Sequence, residues 1–267
     1  MGVVRRITVR GREFSYTDFG GDGPVVLALH GTFGRGAIFD RLAADLAGTA
    51  RVIAPDQRCH GDSEHGGPFE QEELVADAAA LIRALGIGSC VVLGHSHGGV
   101  TAYTLATRHP ELVDLVIVAD SCADVPARHL DVTGWPTHAP TRQALRAAIE
   151  GQGIRNAGYF LHSAVVDAAG WRLCFDYADM VAVQRGGQGD RWADWLSSDC
   201  PALLVHAANS MLLPAEHATA MATRRPHTSL VTIDAGHWIH DDRPAEFADA
   251  VRTFLAAHRS PTVPANG

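Results

Sequence analysis

Six short runs rich in Val, Ile and Leu constrain this 267-residue chain more than any other feature; they lie at 25–29, 52–54, 91–93, 115–119, 203–205 and 230–233. Each is too short for a helix, and each carries apolar side chains at odd and even positions alike. That is the pattern of strands buried on both faces, hence of a parallel sheet covered by helices on either side. Amphipathic stretches at 38–47, 72–85, 100–109, 215–222 and 245–258 supply the helices. Pro110 and Pro244 mark a helix end and a helix start, because proline lacks the N–H that a helix interior needs. Residues 3–19 alternate and break at Gly11, which predicts an antiparallel hairpin on the sheet edge. The alternation of strand and helix predicts an α/β fold built on a mostly parallel, eight-stranded sheet.

The alternation stops at Asp120 and resumes after Pro201. Residues 121–200 show no strand signal, hold four of the five Trp residues, and are far longer than an ordinary loop. A helical cap over one end of the sheet is expected there, with Gly186, Gly187 and Gly189 as a flexible joint. The expected division is a core at 1–120 and 201–259, a cap at 121–200, and a disordered, polar and Pro-rich tail at 260–267. With 46% apolar residues, a chain of this length can bury a core without metal or disulfide staples.

All 22 positive side chains are Arg, which excludes lysine Schiff bases and GK[ST] phosphate loops. Against 30 Asp and Glu they leave a net charge of −8, with no positive cluster longer than an Arg-Arg pair. Nucleic acid and anionic membrane are therefore not expected partners; a small-molecule substrate is, and the oligomeric state is left open. Cys59, Cys90, Cys122, Cys174 and Cys200 are odd in number and widely spaced, as reduced thiols would be. The chain shows neither an apolar leader nor an apolar run of about 18 residues, so a soluble, cytoplasmic protein is expected.

The sharpest chemical signal is Gly94-His95-Ser96-His97-Gly98-Gly99, directly between an apolar run and a helical stretch. A nucleophile on a tight strand-to-helix turn needs glycines two residues to either side, and the helix N-terminus favours the negative charge that develops there. Ser96 is the expected nucleophile. His237, in Gly236-His237-Trp238 after the last strand run, is the expected general base at the same sheet edge. After the third strand comes His30-Gly31-Thr32; the amides of Thr32 and His97 are the expected oxyanion donors, with His30, Gly31 and His95 in support. Trp135, Trp171, Trp192, Trp195, Tyr159, Phe160 and Tyr177 predict an apolar ceiling, and Trp135, Trp171, His162 and Trp238 are candidate pocket residues. His95 and His97 form an HxH pair, but HExxH and GxGxxG are missing, so neither metal nor cofactor is implied.

The order of HG, Asp56-Gln57-Arg58-Cys59-His60-Gly61-Asp62-Ser63, GxSxGG and GHW resembles the α/β-hydrolase fold superfamily over roughly residues 3–258. The resemblance implies an eight-stranded core with the second strand antiparallel, and a triad of Ser96, an acid and His237. Cys59 stands where the family usually has Gly. The family usually carries the acid after the strand at 203–205, yet 204–214 holds no Asp or Glu; Asn209 offers only a neutral hydrogen bond. Some members carry it one strand earlier, which selects Asp120, with Asp124 second; Asp241 and Asp242 are expected to cap the last helix. The expected activity is a serine hydrolase acting on a carboxylic ester, lactone or related acyl substrate. A strand-six acid with an HSHGG turn also resembles the cofactor-free dioxygenases that cleave 3-hydroxy-4-oxoquinolines, where His and Asp abstract a proton; that branch has a His where this chain has Gly34. A lyase of the same dyad type and a non-catalytic ligand-binding relative are the remaining alternatives.

Overall fold

A computed structural model describes residues 2–258, so the expected tail at 260–267 lies outside the described residues. The hairpin forms as β1 (Val3–Val9) and β2 (Arg12–Asp18), turning at Gly11 with φ 74°. There follow β3 (Val25–Leu29), a short 3-10 turn, α1 (Asp40–Asp45), β4 (Arg51–Pro55), α2 (Gln71–Ala84), β5 (Cys90–His95), α3 (His97–Arg108) and β6 (Val113–Ala119). Residues 121–200 contribute β7 (Asp124–Val125), α4 (Arg142–Glu150), α5 (Gly158–Leu161), β8 (Ala164–Asp167), β9 (Gly170–Leu173), α6 (Tyr177–Gly186), β10 (Gly189–Asp190) and α7 (Trp192–Leu196). The chain returns to the sheet with β11 (Ala202–Ala207), α8 (Ala215–Arg224), β12 (Thr228–Ile233), α9 (Ile239–Asp242) and α10 (Pro244–Ala257).

Eight strands form one sheet in the order β1-β2-β4-β3-β5-β6-β11-β12. β2 runs antiparallel to both neighbours, and every pairing from β4 to β12 is parallel. The doubly apolar strands divide as their period of two requires. In β3, Val26 and Ala28 pack on the side of α1 and α10, while Leu27 and Leu29 pack on the side of α2, α3 and α8. Parallel pairing then brings the carboxyl ends of β3, β5, β6, β11 and β12 to one edge, where ligand sites of open α/β sheets form.

The segment 121–200 departs from the expected helices-only form. β7 pairs with β10 and β8 with β9, as two small antiparallel ribbons. Strands of two and four residues with mixed polarity carry no readable period; Asp167 accepting the Ala169 N–H at 2.9 Å, with Gly170 at φ 127°, closes the second ribbon. Of the three glycines expected to form a joint, Gly189 stands at φ 108° with open space where a Cβ would go, whereas the other two are crowded. A Cβ on Gly186 would lie 2.0 Å from the Phe69 carbonyl oxygen, and one on Gly187 would lie 2.5 Å from His97 Nε2. Gly186 and Gly187 are thus positions of close approach to the core. Among the described residues no helix is long and apolar enough to cross a membrane.

Candidate active site

Ser96 sits between β5 and α3 at φ 53° and ψ −123°, a conformation that costs an L-residue energy and persists only where its surroundings impose it. The imposing contacts are backbone to backbone. A Cβ on Gly94 would meet the Gly98 carbonyl at 2.0 Å, and one on Gly98 would meet the Leu29 carbonyl at 2.2 Å. Only glycine lets strand, turn and helix approach so closely, and the result lifts Ser96 clear of the sheet edge.

His237, on the loop after β12, places Nε2 3.0 Å from Ser96 Oγ. Its Nδ1 lies 2.7 Å from Asp120 Oδ2, so Nδ1–H donates to the carboxylate and the Nε2 lone pair faces the serine hydroxyl. Asp120 follows β6 at φ 47° and is fully buried. The Ala207 N–H donates to Oδ1 at 3.0 Å and Ser210 Oγ–H to Oδ2 at 2.6 Å. Ser210 in turn accepts the N–H groups of Leu212 and Leu213, at 3.0 and 2.9 Å. The stretch after β11 that lacks a carboxylate thus holds the one supplied by β6. Asn209 turns away to Asp234, and Asp124 lies exposed in the β7 ribbon.

The loop after β3 is braced from beneath. His30 donates through Nδ1 to the Gly31 carbonyl at 2.8 Å and accepts the Gln57 N–H at Nε2 at 3.0 Å. His60 Nε2 accepts the Phe33 N–H at 3.2 Å, and Asp56 accepts the Gly36 N–H at 2.7 Å. The 56–63 motif is therefore the scaffold of the loop that carries Thr32. The Thr32 amide has no acceptor among the described residues, and the His97 amide opens α3, where leading N–H groups lack intrahelical partners. Both flank Ser96.

Burial disfavours the charged form of His30, His95 and His97 at this edge. It lowers His30 to about 4 and His97 to about 3, and takes His95 well below the usual range. His95 and His97 point apart: His95 Nε2 donates to the His237 carbonyl at 2.9 Å, and His97 Nε2 to Gln71 Oε1 at 2.8 Å. Cys59 adopts φ 68° where glycine is usual, and burial pushes its thiol up to about 12, which removes it as a nucleophile.

A cavity of about 460 Å³ opens above Ser96. Its walls include Phe33, Leu130, Ile154, Phe160, Leu212 and Trp238, with Gln152, Gln184, Gln188 and Arg128 as polar members. Trp238 lines it as expected. Trp135 does not; it packs behind the wall against Phe160 and Phe33, at 4.8 and 6.4 Å between ring centroids. Trp171 lies outside too, its backbone exchanging both hydrogen bonds with Ala139 at 2.8 Å. His162 pairs outside the cavity with Asp241 at 3.2 Å. Asp241 and Asp242 do not cap α10, since Asp242 instead accepts the Gly236 N–H at 2.9 Å and α10 begins without a side-chain cap. Of the aromatics read from sequence as a ceiling, Tyr159 and Phe160 are the ones at the wall, beside Phe33 and Trp238, and Ser210 gave no signal at all.

Sheet order, a strained serine turn and a serine, a histidine and an aspartate on three loops of one edge together define the class of the α/β-hydrolases. The model of that fold family matches residues 24–244, and the chain belongs to the family. It is similar to the sn-1-specific diacylglycerol lipase ABHD11 of Mus musculus, 30% identical over 93% of this chain and 87% of that protein. It is also similar to the 2-(acetamidomethylene)succinate hydrolase of Mesorhizobium japonicum, 28% identical over 95% of this chain and 94% of the relative. A crystal structure of E-2-(acetamidomethylene)succinate hydrolase superposes with a TM-score of 0.87 at 25% identity, covering 96% of this chain and all of that one. The protein is an α/β-hydrolase enzyme.

Proposed function

We propose that the enzyme is a serine hydrolase that cleaves a carboxylic ester, lactone or related acyl compound with an apolar or aromatic body. The observation that carries this reading is the hydrogen-bonded line from Asp120 Oδ2 to His237 at 2.7 Å and on to Ser96 Oγ at 3.0 Å, at the floor of the cavity. His237 takes the Ser96 proton as Oγ attacks the acyl carbon, and the amides of Thr32 and His97 hold the oxygen that gains the charge. As the tetrahedral adduct collapses, His237 returns the proton to the departing oxygen. Water then gives its proton to His237, attacks the acyl-enzyme and releases the acid, and Ser96 recovers its proton. Relatives named as a lipase and a hydrolase support acyl cleavage. Residues 121–200 act in this reading as a cap that sets substrate choice, since Leu130, Gln152, Ile154, Phe160 and Gln184 all reach the cavity from it. The free state of all five cysteines supports a reducing, cytoplasmic setting.

A fluorophosphonate probe is expected to label Ser96, and Ser96→Ala to abolish labelling and cut p-nitrophenyl butyrate turnover by about 10³-fold or more. Full turnover by Ser96→Ala would overturn the covalent mechanism. Mild loss in Ser96→Ala with severe loss in His237→Ala would instead assign proton abstraction by the His237–Asp120 pair. The serine-hydrolase reading is preferred to the dioxygenase one because this chain has Gly34 where that branch has its histidine, with Tyr159 Oη filling the space there.

A further inference from the structure

Near Ser96 the structure leaves several buried polar atoms without a hydrogen-bond partner: Tyr159 Oη, His95 Nδ1 and both ring nitrogens of His240. Such atoms are rare in folded proteins and call for a reason. His240 is packed between the rings of Phe39, His95 and Tyr159, and does not reach the cavity. His95 does reach it, but its Nε2–H is committed to the His237 carbonyl, which leaves Nδ1 an acceptor. Among the three, Tyr159 is the cavity residue with a proton to offer.

The phenol lies beside both the serine and His95. A Cβ built on Gly31 would lie 2.9 Å from Ser96 Cβ and 3.1 Å from both Tyr159 Oη and His95 Nδ1, so the three side chains converge on one point beside the loop that carries Thr32. The ring is fixed in place. It stacks on Trp238 at 5.7 Å with 24° between planes, meets Phe160 edge-on at 5.6 Å, and is 2% exposed. Burial also raises the phenol well above its ordinary range, so it keeps its proton at any working pH. A donor held rigidly in a dry site costs no reorganisation when charge develops in front of it.

We propose that Tyr159 Oη is a third donor to the oxyanion formed at Ser96, acting beside the amides of Thr32 and His97. The hydroxyl donates a hydrogen bond and keeps its proton, so no bond to it breaks. This role rests on the serine-hydrolase reading above and adds a catalytic residue from the inserted segment to the three loops of the core. It also explains why Gly31 and Gly34 are both glycine, since the phenol oxygen fills the space that side chains there would take.

Tyr159→Phe tests the role, measured beside Ser96→Ala on p-nitrophenyl butyrate. The expected result is a fall in kcat of about 30- to 100-fold with KM changed less than twofold. An alkyl boronic acid, which forms a tetrahedral adduct on the serine, is expected to bind more weakly by a similar factor. The melting temperature is expected to stay within a few degrees of wild type, because the deleted hydroxyl has no acceptor for its proton and only the Gly31 N–H beside it; a merely structural hydroxyl would lower it further and leave boronate affinity alone. Gly34→Ala is a second route, since its Cβ displaces the phenol oxygen. It is expected to lower kcat in wild type and to add no further loss to Tyr159→Phe. Turnover and boronate affinity within twofold of wild type in Tyr159→Phe, or a loss confined to KM, would overturn the proposal. If Ser96→Ala keeps its turnover, the serine mechanism itself fails; if Ser96→Ala is inactive and Tyr159→Phe is not, only the role of Tyr159 falls.

Discussion

Three separate donors hold the Asp120 carboxylate: the His237 imidazole Nδ1–H at 2.7 Å, the Ala207 amide at 3.0 Å and the Ser210 hydroxyl at 2.6 Å. The sequence pointed to this residue through the resemblance, since some members of the superfamily carry the acid one strand earlier than usual, and Asp120 there keeps the chain order of serine, acid and histidine. Ser210 was not readable, because a serine in a turn looks the same whether or not it meets a buried acid 90 residues away. Asp120→Asn separates orientation from folding. The side-chain oxygen can keep the Ala207 N–H, so the fold is retained, but an amide NH₂ facing His237 favours the wrong imidazole tautomer. Turnover is expected to fall by about 10³- to 10⁴-fold with a melting temperature within a few degrees of wild type. Loss of less than tenfold would show that His237 is oriented by something other than this carboxylate.

At the level of elements, the β5–turn–α3 unit is the best-determined part of the molecule. Its apolar run, its flanking glycines and the helix that follows are all local, and local consistency is what a sequence displays most clearly. Gly98→Ala would push a Cβ to 2.2 Å from the Leu29 carbonyl and 2.6 Å from that of His30, both rigid backbone, with no side chain able to give way. Thermal unfolding should therefore drop by roughly 6–12 °C, taking a cost of about 3 kcal/mol for overpacking in a chain of this size. An unchanged transition would mean that α3 can slide away from β3. The segment 121–200 was far less legible. Ser163 donating to the Phe33 carbonyl at 2.7 Å and Ala139 clasping Trp171 tie it together through contacts across 130 and 32 positions, and no periodicity announces these. Residue type alone selected Trp135 and Trp171 for the pocket; direction of approach, set by those distant ties, gave the wall to Tyr159 and Phe160.

The whole molecule is acidic and lysine-free, and it gathers at one sheet edge imidazoles whose charged form burial disfavours. His30, His60, His95 and His240 are buried there, and His97 is half-buried beside them. Desolvation depresses all five, with His30 and His240 lowered to about 4, His97 to about 3, and His60 and His95 well below 6.5. In the unfolded chain each would take up a proton near pH 6.5. Between pH 6.5 and about 4 the unfolded state therefore binds more protons than the folded one, and stability rises with pH across that window. The contribution is present above pH 6.5 and is lost as the solution is acidified, at up to roughly 1.4 kcal/mol for each histidine for each pH unit. A protein with five such groups should show a melting temperature that is level from pH 8 to 7 and then falls by about 10 °C or more by pH 5.5. Calorimetric scans across that range, with proton uptake on unfolding measured at pH 6, check the account directly. A melting temperature that stays level down to pH 5 would mean that these rings are hydrated or already charged in the folded protein, and that the sheet edge around Ser96 is wetter than its packing implies.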